Sequence, residues 1–156
     1  MLDPYICDEY GCNRPFQEPN ALKHHKITHL SPSVHCYGCK RMFTTYHGMI
    51  IHLESGKCAS GIDVCTVNRL AVWCYQFKKY TCKDFYPQLL KASTAYRDDP
   101  ANHPFKCPTC GSTFPLVSSL FMHTYSPSCE QTMGGGAIGK LKKWLRKSLK
   151  RYKVRN

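Results

Sequence analysis

The sequence predicts a small α+β chain: three short ββα units, a mainly helical insert between the second and third, and a basic amphipathic C-terminal helix. Three observations carry that expectation. A Cys…Cys…His pattern recurs three times, each with twelve residues between the second Cys and the His. Apolar residues at helical spacing fill part of the stretch that separates the second and third repeats. Nine of the 22 Lys and Arg lie from Lys140 onward with no Asp or Glu among them, so residues 1–139 carry only +3 of the net +12.

The first unit reads Tyr5-x-Cys7-x4-Cys12-x3-Phe16-x5-Leu22-x2-His25-x3-His29. Two cysteines beside a tight turn suit a β-hairpin, where both thiolates can face one ion. His25 and His29 stand at i and i+4, so a helix stacks both imidazoles on one face. Two sulfurs and two nitrogens make the closed tetrahedral set that structural zinc takes. Phe16 and Leu22 fall where hairpin and helix need apolar residues to pack.

The second unit is Val34-x-Cys36-x2-Cys39-x3-Phe43-x5-Met49-x2-His52-x5-Cys58, and the third is Phe105-x-Cys107-x2-Cys110-x3-Phe114-x5-Leu120-x2-His123-x5-Cys129. Here a Cys replaces the second His, six positions on. A continuous helix would carry it away from the first His, so the chain must turn back. Gly56 suits that turn in the second unit because it accepts the left-handed conformation that ends helices. Pro127 serves in the third, since it cannot continue the hydrogen-bond ladder. Units of this size cannot fold on their apolar core alone, so zinc must supply folding free energy to all three.

Eleven cysteines in a short chain point to metal or to disulfides. Met1-Leu2-Asp3-Pro4-Tyr5 offers neither a basic start nor an apolar run, so no secretory leader is expected. An odd count leaves a thiol over, and the spacing is that of metal ligands. No stretch approaches the ~20 apolar residues of a membrane-spanning helix.

Between the last ligand of the second unit, Cys58, and the first of the third, Cys107, lie 48 residues, Ala59 to Lys106. Asp63 is a candidate N-cap, and Val67, Leu70, Ala71, Cys74 and Phe77 recur at helical spacing. Pro87 begins a second helical stretch through Ala92. Asp98-Asp99-Pro100 and His103-Pro104 read as an extended or turning linker. The whole is expected to be helix plus loop packed on a neighbouring unit, or partly disordered. In the tail, Gly134-Gly135-Gly136 reads as a flexible joint. Ile138, Leu141, Leu145, Leu149 and Tyr152 then fall on one side of a helix with Trp144 at its edge, and Lys143, Arg146, Lys147 and Lys150 on the other.

On the ligand and core residues just given, about half of the chain resembles C2H2-type zinc-finger proteins. A narrower likeness lies in His52-Leu53-Glu54-Ser55-Gly56-Lys57-Cys58, followed by Ser60-Gly61-Ile62 and Val67-Asn68, together with Phe105-Lys106-Cys107-Pro108-Thr109-Cys110. These resemble a poorly characterised group of C2H2-type proteins of filamentous fungi. In that group, fingers ending in a Glu-Ser-Gly-x-Cys turn are followed by a short helical insert. The third unit departs from it, with Thr124-Tyr125-Ser126-Pro127-Ser128 in place of that turn. The resemblance implies zinc binding and leaves the cellular role open.

Each unit supplies four good ligands and no carboxylate at a fixed offset, so the zincs are expected to be structural and the chain not an enzyme. Lys40, Arg41 and Lys57 near the second site, and Lys106 near the third, either soften the net −1 of a three-thiolate zinc or are simply solvated. Helix positions −1, 3 and 6 of DNA-reading fingers fall on Glu18, Ala21 and His24, on Thr45, Gly48 and Ile51, and on Leu116, Ser119 and Met122. None is Arg, Asn or Gln, the residues that make the strongest base contacts, and Leu30-Ser31-Pro32-Ser33 is not the linker of groove-tracking fingers. Ile51, Leu116 and Met122 suggest packing against protein instead. His24, His35, His47 and His103 read as surface residues, with His35 a weak competitor as ligand. Cys65, Cys74 and Cys82 read as buried or free thiols, and Trp73, Tyr75, Phe77 and Tyr80 as core.

Four readings of the tail are open: nuclear import or phosphate binding, attachment to a membrane surface, a partner of calmodulin type, or a solvated helix packed on the third unit. The expected partners are nucleic acid (DNA or RNA, at low specificity, through Lys140, Lys142, Lys143, Arg146, Lys147, Lys150 and Arg151) or a protein, in the nucleus. Neither a small-molecule substrate nor a membrane is expected. The expected organisation is 1–30 for finger one, 34–58 for finger two, 59–104 for insert and linker, 105–130 for finger three and 131–156 for the Gly joint and basic tail.

Overall fold

The computed structural model describes residues 5–90, 102–126 and 129–155. Each Cys/His unit begins with a two-stranded antiparallel hairpin: β1 (Tyr5–Ile6) with β2 (Pro15–Phe16), β3 (Val34–His35) with β4 (Met42–Phe43), and β5 (Phe105–Lys106) with β6 (Thr113–Phe114). The register repeats. Tyr5, Val34 and Phe105 each stand opposite the unit's phenylalanine, Phe16, Phe43 or Phe114. A helix follows each hairpin: α1 (Pro19–Lys26), α2 (Tyr46–Glu54) and α6 (Val117–Tyr125). The insert contributes α3 (Val64–Trp73), α4 (Phe77–Tyr80) and α5 (Tyr86–Leu90), and the tail is the single helix α7 (Gly136–Arg155).

Local chemistry sets the helix ends. Thr45 caps α2 by accepting from the Gly48 amide at 3.1 Å, and Asp63 caps α3, accepting from the Thr66 amide and hydroxyl at 3.0 Å. After α2 the chain reverses at Gly56, whose φ of 77° is the left-handed conformation that a C′ glycine supplies. After α6 it turns at Ser126, extended with ψ of 141° as a residue before proline must be; Pro127 lies outside the described residues. The insert's helical pattern breaks earlier than its spacing predicts, because Cys74 is extended and splits α3 from α4. The last-turn carbonyls of α3 find side-chain donors instead: Trp144 Nε1–H donates to Leu70 O at 2.7 Å, and Tyr80 Oη–H to Ala71 O at 2.6 Å. The second helical stretch is seen as α5, and its continuation to Ala92 and the Asp98-Asp99-Pro100 segment lie outside the described residues.

One buried apolar cluster runs through four segments: Met49, Ile50 and Leu53 of α2, Ile62, Val67 and Ala71 of the insert, Val117, Leu120 and Phe121 of α6, and Ile138, Leu141, Leu145 and Leu149 of α7. Helix α2 lies at its centre, packed on both α3 and α6, with Tyr46 edge-on to Phe121 at 4.8 Å. The insert also reaches the third hairpin, where Thr81 bridges Phe105 and the Cys82 amide donates to Pro104 O at 2.8 Å. The first unit is more peripheral. No residue of α1 is buried, and it meets the rest through Lys23 and His24 against the Tyr125 ring.

Several expectations need correcting. The apolar side of the tail packs chiefly on α3 and α4 of the insert rather than on the third unit. The Gly run is tied down, with Gln131 Nε2 donating to Thr132 O and Gly135 O at 2.9 and 3.1 Å. Trp73 and Tyr75 are surface residues, 55% and 69% exposed, while Tyr80 is core. His47 is buried against Tyr125, at 5.9 Å between ring centroids. His103 is half-buried and bonded to Thr113 Oγ1 at 3.1 Å. Among the described residues, no helix is long and apolar enough to cross a membrane.

A polar interaction also joins α2 and α6. Leu116, at the N-cap of α6, has no side chain that can cap. Buried Glu54, from the last turn of α2, does so in its place, accepting from the Ser118 amide at 3.2 Å. A carboxylate there also faces the positive end of the helix dipole. Glu54→Ala should therefore lower the urea stability of the zinc-loaded protein by about 1–3 kcal/mol, since Ser118 loses its acceptor. An unchanged midpoint would show that the cap contributes nothing.

Candidate metal centres

Three sets of ligand atoms converge: Cys7, Cys12, His25 and His29; Cys36, Cys39, His52 and Cys58; Cys107, Cys110, His123 and Cys129. Within each set the atoms lie within 4.8 Å of one another. All twelve side chains expected from the sequence are gathered, four to a set. A tetrahedral zinc with bonds of about 2.3 Å to sulfur and 2.0–2.1 Å to nitrogen needs edges of about 3.8 Å S···S, 3.6 Å S···N and 3.3 Å N···N. The structure has 3.8 Å for Cys36···Cys58 and for Cys107···Cys129. Sulfur to Nε2 is 3.2 Å for Cys12···His25, 3.5 Å for Cys39···His52 and 3.4 Å for Cys110···His123. His25 and His29 present their Nε2 atoms 3.1 Å apart. The sets are compatible with three structural zinc ions.

The scaffold behind each set repeats. The ring of Phe16, Phe43 or Phe114 packs on the first histidine of its unit, with centroids 4.8, 5.1 and 4.9 Å apart. In the first unit α1 tightens into a 3-10 turn over Ile27–His29, which keeps both imidazoles on one side. In the others the residue two past the last cysteine folds back over the knuckle. Ser60 Oγ–H donates to Cys58 Sγ at 3.2 Å, and the Gln131 amide to Cys129 Sγ at 3.5 Å. That closure explains a difference in the Cys-x-x-Cys turns. A Cβ on Gly38 would come within 2.9 Å of Cys58 Sγ and closer still to Ser60, so only glycine fits. The third unit has Thr109 at this position, and its hydroxyl donates to Gln131 Oε1 at 2.6 Å.

Electrostatics differ among the sets. Burial pushes the Cys36 thiol up to about 11, so in the metal-free site it holds its proton at neutral pH and zinc must displace it. Burial raises Cys58 as well, but hydrogen bonds from Ser60 outweigh it and leave that thiol below its ordinary value. Hydrogen bonds from Ser112 bring exposed Cys110 down to about 6, a thiolate at neutral pH. Burial keeps His25 and His52 below the ordinary imidazole value, with nearby His29 and Arg41 respectively adding to it, and so keeps them neutral and ready to bind metal.

Cys65, Cys74 and Cys82 join no such cluster and form no disulfide among the described residues. Of the nine base-reading positions, Thr45 serves as the α2 cap, Leu116 starts α6 and is half-buried, and Ile51 and Met122 are exposed. Sequence reasoning misses Glu54; the signal for it is a carboxylate within the apolar helix of the second unit together with a helix of the third unit, α6, that has no capping residue at its start. Of the tail cations, Lys142 is half-buried over the Tyr46 ring, whereas Lys140, Lys143, Arg146, Lys147, Lys150 and Arg151 are exposed. No protein-family model, curated protein or solved structure matches this chain.

The second set buries Cys36, His52 and Cys58, whereas the first exposes His29 and the third exposes Cys110. A chelator should strip the second zinc last. With a colorimetric zinc indicator, wild-type release is expected to show fast and slow phases. Cys12→Ser should lose part of the fast phase and keep the slow one. Loss of the slow phase in that variant would contradict the assignment.

Proposed function

We propose that the chain is a nuclear zinc-finger protein, with one C2H2 and two C2HC fingers of ββα type, that holds nucleic acid through backbone phosphates. Its zincs are structural, since four ligands close each set and leave no position for a substrate. The basic face of α7 carries the proposal. Ile138, Leu141, Leu145 and Leu149 are fully buried, which fixes the helix and turns Lys140, Lys143, Arg146, Lys147, Lys150 and Arg151 outward. No acidic residue lies between Gly136 and Arg155. A rigid cationic face attracts phosphates without regard to sequence. With the apolar face already in the core, membrane insertion and wrapping by a calmodulin-type partner both require the helix to be pulled out.

The fingers support backbone binding over base reading. Seven of the nine residues of α2 are buried, so this helix has no free side to lay in a major groove. A second reading has an observation of its own. Exposed Ile51 lines an apolar groove of about 400 Å³ with Val64, Pro115 and Leu116, which suits a protein partner.

Lys143→Glu with Lys147→Glu should weaken DNA and RNA binding alike across sequences, without lowering thermal stability. The slope of log affinity against log salt should fall by about one per cation removed. Unchanged affinity in that variant, with a protein partner lost in Ile51→Lys, would favour the second reading.

A further inference from the structure

Resting on that reading, we propose that a groove between the second finger's hairpin and α7 is a subsite for an unpaired nucleotide of a single strand. The groove is about 340 Å³, and His35, Tyr37, Tyr46, Lys142, Arg146 and Lys150 line it. Lys142, Arg146 and Lys150 succeed one another at i, i+4 and i+8 and so form one row along α7, spanning about 12 Å at 1.5 Å per residue. This row is distinct from Lys143 and Lys147, which line no part of the groove. Beneath the row are aromatic rings. The Lys142 ammonium stands 5.0 Å from the Tyr46 ring centroid and the Lys150 ammonium 5.9 Å from that of Tyr37. The two phenol oxygens are 3.4 Å apart, and the rings meet edge-on with centroids 6.2 Å apart.

A phosphate attracts the cations; the half-buried Tyr37 ring gives a base a surface to stack on. A groove of this volume suits one nucleotide, and a duplex keeps its bases stacked inside and cannot offer one. The cations are not consumed within the fold. None pairs with a carboxylate among the described residues, where the one ion pair is Lys26 with Asp8. Cys36 also lines the groove, but a three-thiolate zinc carries a single net negative charge, which cannot neutralise three cations.

The experiment measures fluorescence anisotropy of 12-mer oligouridine and oligothymidine, and of a 12-base-pair duplex, against the full zinc-loaded chain. Its variants are wild type, Tyr37→Leu, Tyr37→Phe, Arg146→Ala with Lys150→Ala, and Lys143→Glu with Lys147→Glu. Native mass spectrometry of each confirms three zincs. Tyr37→Leu is expected to bind the single strands about tenfold more weakly while keeping duplex affinity, Tyr37→Phe to bind as wild type, and the Arg146/Lys150 variant to lose more single-strand than duplex affinity. Should Tyr37→Leu lose zinc, the Arg146/Lys150 variant decides alone, since both side chains are exposed. Equal losses for single strand and duplex in the groove variants overturn the subsite but leave phosphate binding by α7 standing. No binding of any oligonucleotide by wild type overturns both.

Discussion

The fold depends on α2 being buried on nearly all sides. Its His52 belongs to the second ligand set, its Met49, Ile50 and Leu53 fill the core, and its Glu54 caps the third unit's helix. Hairpins of two-residue strands and helices of eight or nine residues are too short to persist alone. A metal ion would close each local unit; α2 supplies the surface on which the insert and the third unit assemble. Helix α7 completes that surface, and Trp144 and Tyr80 satisfy the carbonyls that end α3. Each fully buried aliphatic side chain contributes about 1.5–3 kcal/mol, so the four from α7 form a large part of the core.

That arrangement bears on function through what it removes and what it presents. A finger helix that reads DNA needs one face free, and α2 has spent its faces on protein. The free surfaces are α1, the exposed Ile51 and Met122 side chains, and the cations of α7. A disordered basic tail would carry the same charges in no fixed arrangement. A helix pinned by its apolar side holds its charges in fixed rows, one facing solvent and one facing the aromatic rings of the second unit.

Much of this was legible in the sequence because it is local. Ligand spacing and the phenylalanine behind each histidine depend on residues of one unit, the Asp63 cap and the Gly56 turn on residues within a few positions, and the structure has them where spacing placed them. The misreadings involve distance along the chain. Spacing identified an apolar side on α7 but could not say which neighbour covers it. The same limit turned Trp73 and Tyr75 outward and His47 inward, since the break at Cys74 and the approach of Tyr125 are tertiary. Glu54 shows it most clearly. It reads as part of a turn, yet its partner lies 64 residues on.

The central claim is that the second unit, the third unit, the insert and the tail unfold as one body. Hydrogen exchange read by mass spectrometry tests it directly, comparing zinc-loaded wild type with Cys39→Ser, which breaks the second ligand set. Protection should collapse in α3, α6 and α7 together, while residues 5–29 keep theirs. If α7 retained its protection when the second set is broken, the tail would be an independent element, and the account of a single core built on α2 would be wrong.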